Sequence, residues 1–223
     1  MSVEVMREVY ERWAPAYDAT PHNPLMNAEQ RAMVARFPEL AGSDVLDLAC
    51  GTGRYAKLAA SAGARRVIGL DTSFAMLSRA SMAERVRGDL AALPFRGGSF
   101  DVVISGLAIG HASDLDACLS DVARVLRPGG TLLYSDFHPE ATRLGFRRGF
   151  RDAGGQRFEL PLDGFSVTRH FGALRSSGFT RLDFAEVRAG LELTEDFPGS
   201  VEFYRAWYGT PMVMVLRARR DAS

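Results

Sequence analysis

Three acidic residues, Asp47, Asp71 and Asp89, stand where a chain could turn a sheet edge into a ligand site. Asp47 lies in the run Val45-Leu46-Asp47-Leu48-Ala49-Cys50-Gly51-Thr52-Gly53, which reads as an apolar strand, a glycine turn and the entry to a helix. Gly51 and Gly53 let the backbone bend sharply and approach a ligand closely. A helix beginning near Arg54 presents free N–H groups at its start. Asp71 ends the next apolar run, 20 residues after Gly51, where a carboxylate can accept both hydroxyls of a ribose. Asp89 follows Gly88 after a third run and can accept from an adenine amino group, while the Leu90 N–H donates to the ring. Asp47 precedes the glycines and can hold an ammonium, directly or through water. Taken singly, a glycine marks a strand–helix turn and an Asp after a strand caps a helix. The specificity lies in their order.

Histidine supplies the candidate proton-transfer groups. His111 follows the fourth expected strand in Leu107-Ala108-Ile109-Gly110-His111, and His138 follows the fifth in Asp136-Phe137-His138-Pro139. Both are candidate general bases. His22 falls in an N-terminal loop and His170 near the start of a late helix, where structural roles are expected. The two cysteines, Cys50 and Cys118, form no CxxC pattern, so neither a metal site nor a disulfide framework is indicated.

The elements that must position these residues follow from hydrophobic period and breakers. Helices are expected over residues 3–14, Asn27–Phe37, Arg54–Ala62, Ser73–Met82, Asp114–Leu126 and Thr168–Ser176, with a helical piece between Gly199 and Trp207. Strands are expected over Asp44–Leu48, Arg66–Leu70, Arg85–Arg87, Phe100–Ser105, Thr131–Phe137, Thr180–Arg188 and Met212–Arg219. Alternation from Asp44 to Phe137 predicts an α/β fold with a parallel sheet covered on both faces. The last two strands could pair as an antiparallel hairpin at its edge. Residues 138–178 are a long excursion rich in Gly, Arg and aromatics. Phe137, Phe146, Phe150, Phe158, Phe165 and Phe171 there could line a planar or apolar acceptor, or simply form core.

The 223 residues suit one unit of α/β size, with 1–40 as an N-terminal helical lid and 138–178 as a substrate-side cap. Lys+Arg and Asp+Glu both number 27, so no basic footprint for nucleic acid shows in the total. The nearest local patch, Arg143, Arg147, Arg148 and Arg151, reads as a solvated surface. No apolar stretch is long enough to span a bilayer, and the N-terminal residues are charged throughout. A cytoplasmic protein, monomer or homodimer, is expected.

Gly51-Thr52-Gly53-Arg54-Tyr55-Ala56 also satisfies the loose dinucleotide pattern, and Asp71 sits where an NAD-binding acid would. An NAD-linked oxidoreductase is therefore the alternative. Asp47 favours a ligand with an amino-acid tail, which NAD lacks. Asp89 and the strand introduced by Arg127-Pro128-Gly129-Gly130-Thr131 point the same way, to S-adenosylmethionine (SAM). On Asp47 to Gly53, Asp71, Gly88-Asp89 with Leu93-Pro94-Phe95, Ser99 to Val103, and Leu126 to Gly130, the sequence resembles the class I SAM-dependent methyltransferases. Within them it is similar to the small-molecule branch of the ubiquinone/menaquinone-biosynthesis methyltransferases. Tyr10 to Asp18 resembles that branch too. The resemblance implies a Rossmann-like, seven-stranded, mostly parallel sheet with an antiparallel C-terminal strand. It implies methyl transfer to an O or C atom of a small-molecule acceptor. It also implies a cofactor site of Tyr17, Asp47, Ala49, Cys50, Gly51, Gly53, Asp71, Thr72, Asp89, Leu90 and Ser105, with Ser105 or Gly106 near the methionine part and Tyr10 and Tyr17 closing over the ligand. Cys50 stands where the family often has Gly; a catalytic thiol is not expected.

Overall fold

Strand runs that are apolar on both faces must be covered twice, and the chain does this by alternating strands with helices. The computed structural model describes residues 3–160, 164–190, 193 and 198–222. Residues 1–2 of the expected lid and 161–163 of the expected cap lie outside these. The main sheet contains β1 (Asp44–Leu48), β2 (Arg66–Asp71), β3 (Glu84–Arg87), β4 (Phe100–Gly106), β5 (Leu126–Phe137), β8 (Phe179–Arg188) and β9 (Pro211–Arg220). Its order is β3-β2-β1-β4-β5-β9-β8. β1 to β5 run parallel, and β9 pairs antiparallel with both β5 and β8. The expected seven-stranded sheet with an antiparallel late strand is thus observed. The strand order reverses between β1 and β4, the place where such sheets open a crevice at their carboxyl ends.

The helices are α1 (Val3–Trp13), α2 (Pro24–Val34), α3 (Arg54–Ser61), α4 (Phe74–Arg79), α5 (Leu115–Val125), α6 (Pro139–Arg143), α7 (Val167–Ser176) and α8 (Val201–Ala206). Alternate residues of each central strand feed two cores. Val45, Ile104 and Leu133 pack with Leu25 and Met33 of α2 and Tyr55 and Ala59 of α3. Leu46, Val103 and Leu132 pack on the other face with Leu119 of α5 and Leu174 of α7. A third cluster joins Met6 and Trp13 of the N-terminal segment to Met76, Phe150 and Leu160.

Several bounds differ from the expectation: α2 lies three residues earlier at both ends, α4 stops three residues early, and β5 already begins at Leu126. α2 starts at Pro24, because Asn23 caps it by accepting from the Met26 N–H at 2.9 Å and proline suits the first helical position. α4 stops at Arg79, because the Arg85 guanidinium takes the Leu77 and Ala80 carbonyls at 3.0 and 3.1 Å. The excursion after β5 also holds structure of its own: α6 and a hairpin of β6 (Arg148–Arg151) and β7 (Arg157–Leu160). Its turn is Asp152-Ala153-Gly154-Gly155. The Asp152 carboxylate accepts from the Gly154 and Gln156 N–H groups, and Gly155 takes φ 80°.

Candidate functional site

The β1–α3 turn is built from left-handed backbone: Ala49 at φ 54°, Gly51 at 55° and Gly53 at 86°. Ala49 bears a Cβ in a region L-residues avoid, a strain that recurs at ligand sites. Gly53 is the N-cap of α3 and has no side chain to cap with. Asp47 supplies the cap from β1 instead, its Oδ2 accepting the Ala56 N–H at 2.7 Å. Gly69, opposite Asp47 on β2, must also be glycine, since a Cβ there would lie 2.4 Å from Met82 Sδ and 2.8 Å from Cys50 Sγ.

Asp71 laces the next loop to this one. Its Oδ2 accepts the Gly51 N–H at 2.7 Å and its Oδ1 the Ser73 N–H at 2.8 Å, while Ser73 caps α4. A carboxylate offers about four acceptor directions, so not all are taken by the backbone. Asp89 Oδ1 accepts the Ala91 N–H at 2.9 Å and so holds the loop after β3.

These loops open on one cleft, with a cavity volume of about 110 Å³ that continues into open solvent. Of the residues predicted for the cofactor, Tyr17, Asp47, Ala49, Cys50, Gly51, Thr72, Asp71, Asp89 and Leu90 line it. Gly53 does not; it shapes the turn from behind, where a Cβ would meet Met82 Cε at 2.3 Å. Ser105 does not either. It is fully buried, and Gly106 takes the lining position, its missing Cβ leaving room for the Tyr55 ring.

His111 lines the cleft on a short 3-10 turn, 3.5 Å from the Tyr10 hydroxyl. His138 is corrected: it lies outside the cleft as the N-cap of α6, with Nδ1 accepting the Glu140 N–H at 3.2 Å and Nε2 3.3 Å from Glu186. Its position after β5 suggested the crevice, but the Asp-Phe-His-Pro run turns straight into a helix. Phe137, Phe146 and Phe150 are buried in the core, and Phe158, Phe165 and Phe171 pack half-buried against it. None lines the cleft, and Phe150 stacks on Trp13 and Phe158.

Several lining residues were not singled out from sequence. Leu107, at φ 57°, donates its N–H to the Ser135 carbonyl and hydroxyl oxygens, both at 3.0 Å. Arg54 pairs with the buried Glu29 of α2. Arg148, expected on a solvated surface with Arg143, Arg147 and Arg151, instead lines the cleft, while the other three are exposed. The alternation of the unrecognised hairpin carries the signal that was missed, since Arg148 begins β6.

Burial governs the electrostatics. It pushes the Asp47 carboxyl up to about 7, against the lowering pull of the Ala56 N–H and Arg54. It raises Asp71 despite the backbone N–H groups of Ser73 and Gly51. It pushes His111 down to about 4, helped by the Arg148 charge. The Cys50 thiol is pushed up, so it is not a nucleophile. Among the described residues no His, Cys, Asp and Glu group could hold a metal ion.

A family model described as a methyltransferase domain matches residues 46–134. A malonyl-[acyl-carrier protein] O-methyltransferase from Enterobacter lignolyticus is 30% identical over 216 residues, covering 86% of this chain and 85% of that one. The chain belongs to the SAM-dependent methyltransferases. A SAM-dependent methyltransferase of known structure from Mesorhizobium loti is 29% identical with a TM-score of 0.71, covering 86% of this chain and 98% of that one. A demethylmenaquinone methyltransferase from Lactococcus lactis is 34% identical over 146 residues, covering 58% of this chain and 57% of that one. The chain spans about half to two thirds of the length of the first curated relatives it matches. SAM is the cofactor of this family, and the alternative of an NAD-linked oxidoreductase finds no support among these methyltransferase relatives.

Proposed function

We propose that this chain transfers the methyl group of SAM to an O or C atom of a small-molecule acceptor. The observation that carries the reading is the placement of Asp47, Asp71 and Asp89, which line one cleft at the carboxyl ends of three successive parallel strands. In this reading Asp47 and the Ala49 carbonyl meet the cofactor's ammonium, Asp71 its ribose, and Asp89 with the Leu90 N–H its adenine. Tyr17 packs over it from the N-terminal segment, and Cys50, Gly51 and Thr72 contact it with small groups or backbone. SAM supplies a sulfonium-bound methyl, an electrophile that needs an acceptor held in line behind it. The protein's tasks are then alignment and exclusion of water. Of the expected lid and cap, the segment before α2 covers the cleft through Tyr10 and Tyr17 and the β6–β7 hairpin through Arg148, while α2 and α7 belong to the core. No described helix is long and apolar enough to cross a membrane, and we place the protein in the cytoplasm. Nucleic acid is not a partner in this reading.

The relatives' names specify two acceptors, a malonyl group on a carrier protein and a demethylated menaquinone. Either fits the general reading. Calorimetry with S-adenosylhomocysteine tests it: a one-to-one isotherm is expected, with no response to NADH. Silence with S-adenosylhomocysteine would sink the proposal.

A further inference from the structure

The strand order divides the cleft. Asp89, Asp71 and Asp47 stand near the ends of β3, β2 and β1, the half assigned to the cofactor. The turn that carries His111 follows β4, and Asp136 stands near the end of β5, in the other half. Asp136 is 5% exposed. Its Oδ1 accepts the Phe137 N–H at 2.8 Å, and the Gly110 N–H also faces the carboxyl and favours its ionised form. Gly110 approaches so closely that a Cβ there would lie 2.3 Å from Oδ2. Oδ2 itself is buried and finds no hydrogen-bond partner among the described residues.

Two basic side chains face this carboxyl. Arg148 of β6 lies over the Phe137 ring, 5.0 Å from the centroid, and its charge favours the ionised carboxylate. His170 of α7 brings Nε2 to 4.0 Å from Oδ2, and that nitrogen is also buried without a partner. Tyr134 fixes the His170 proton. Its buried hydroxyl has one partner among the described residues, His170 Nδ1 at 3.0 Å, so it donates there and Nδ1 accepts. The imidazole proton then sits on Nε2, towards the free oxygen. A separation of 4.0 Å exceeds a hydrogen bond, so a small ring movement separates the pair from contact. The other titratable groups of the packed elements are held neutral by burial: His111 of the turn, Cys118 of α5 and Tyr134. Arg169 of α7 acts on His170, and Tyr10 of α1 touches both Arg148 and His111.

We propose that Asp136 is a positioning residue for methyl transfer: ionised, it draws in the His170 Nε2–H and the Arg148 charge, and so fixes the His111 turn and the β6–β7 hairpin as the acceptor-side wall of the cleft. The proposal rests on the methyltransferase reading above and adds a group that touches neither cofactor nor acceptor. A buried carboxylate stays ionised only while its donors and its cation are in place. Its charge therefore orders the elements that supply them. Protonation removes that demand. The Arg148 fork is then held by the Tyr10 hydroxyl at 3.3 Å and by the faces of Trp13 and Phe137 alone. Methyl transfer depends on an acceptor held in line behind the methyl, so a loosened wall costs alignment. Burial pushes the Asp136 carboxyl up to about 7, which puts the change between the two states in the neutral range.

Trp13 is the reporter, because the Arg148 guanidinium lies 5.1 Å from its ring centroid. The test uses the whole chain with Trp207→Phe, which removes the other tryptophan. Trp13 emission should step once with pH, with a midpoint near 7. Asp136→Asn and Arg148→Gln should each flatten the step. Asp47→Asn, which removes the other cleft carboxyl raised to about 7, should keep it. His170→Phe should move the midpoint up by about one pH unit, because the ionised carboxylate loses a donor. A merely structural Asp136 would change a thermal melt but not these midpoints. Asp136→Asn should change S-adenosylhomocysteine affinity at pH 8 by less than about 2-fold, as expected for separate sites. Where Asp136→Asn does not fold, Arg148→Gln and His170→Phe carry the same test. No step, a step that survives Asp136→Asn or Arg148→Gln, or a midpoint not raised in His170→Phe would overturn the proposal. So would a large loss of S-adenosylhomocysteine affinity in Asp136→Asn, since Asp136 would then serve the cofactor half. Failure of the unmutated chain to bind S-adenosylhomocysteine defeats the parent reading and leaves the Trp13 step in place, so the two failures are separable.

Discussion

Glu29 Oε2 lies 2.8 Å from Arg54 Nη1, with the Glu29 side chain wholly buried and that of Arg54 12% exposed. Glu29 Oε1 also accepts the Tyr55 hydroxyl at 2.6 Å and the Ser135 hydroxyl at 2.5 Å. Ser135 in turn accepts the N–H of Leu107 in the cleft wall. One buried carboxylate thus ties α2 to α3, β5 and the strained wall residue. Removing it leaves a buried guanidinium unpaired, which typically costs about 3–5 kcal/mol. Glu29→Ala should lower the unfolding free energy by about that amount, read as a lower urea midpoint at unchanged m. Glu29→Gln, which keeps an acceptor for Tyr55 and Ser135, should lower it less. An unchanged midpoint in Glu29→Ala would show that the pair carries no stability.

The carboxylate of Asp71 spans two loops through the Gly51 and Ser73 N–H groups. Asp71→Ala removes both acceptors and any hold on ribose hydroxyls. S-adenosylhomocysteine affinity should fall at least about 100-fold, since orphaned N–H groups and lost ligand bonds add. Asp71→Asn keeps one oxygen and should fall between the two. Calorimetry reads both; unchanged affinity in Asp71→Ala would show that the ribose lies elsewhere.

Much of this was legible in the sequence because strand, turn and helix signals are local. The run from Asp47 to Gly53 specified its own strand, turn and helix start, and Asp71 and Asp89 followed at strand ends. What was missed depends on long-range packing. Glu29 reads as an ordinary helix residue until α2 docks on α3 and buries it. Arg148 reads as one of four surface arginines until a hairpin turn at Asp152 places it over Trp13, far away in sequence. His138 misled for the opposite reason: its strand end is at the crevice side, but a local cap at Glu140 and a contact with Glu186 turn the ring away.

Asp47 links ligand binding to pH. Burial holds its carboxyl near 7, whereas an ammonium beside it favours the ionised form. Binding below that value must therefore release a proton. Affinity for S-adenosylhomocysteine should rise with pH through 7 and be roughly tenfold weaker at pH 6 than at its plateau. Calorimetry at pH 6 in buffers of different ionisation enthalpy should show the released proton. Asp47→Asn should weaken binding and flatten the pH profile; a profile unchanged by that substitution would remove Asp47 from the ammonium site.

Stability responds to the same groups with opposite signs. Asp47 and Asp136 are pushed up to about 7 by burial, while His111 and His170 are pushed down to about 4. Between about pH 4.5 and 6.5 the native state keeps carboxyl protons that the unfolded chain has lost, and this makes stability fall as pH rises. Over the same window it lacks imidazole protons that the unfolded chain has gained, and this makes stability fall as pH drops. Asp71 is raised and His138 lowered in the same two senses, so the contributions oppose one another and the unmutated protein should show only a shallow slope. A single substitution unmasks the slope. Asp47→Asn should become more stable with rising pH, by up to about 1.4 kcal/mol per pH unit. His170→Phe should show the reverse slope, and also a uniform loss from the 3.0 Å contact with Tyr134. Urea unfolding at half-unit steps from pH 4.5 to 6.5 measures each slope. Parallel profiles for the three proteins would show that these groups titrate normally in the native state.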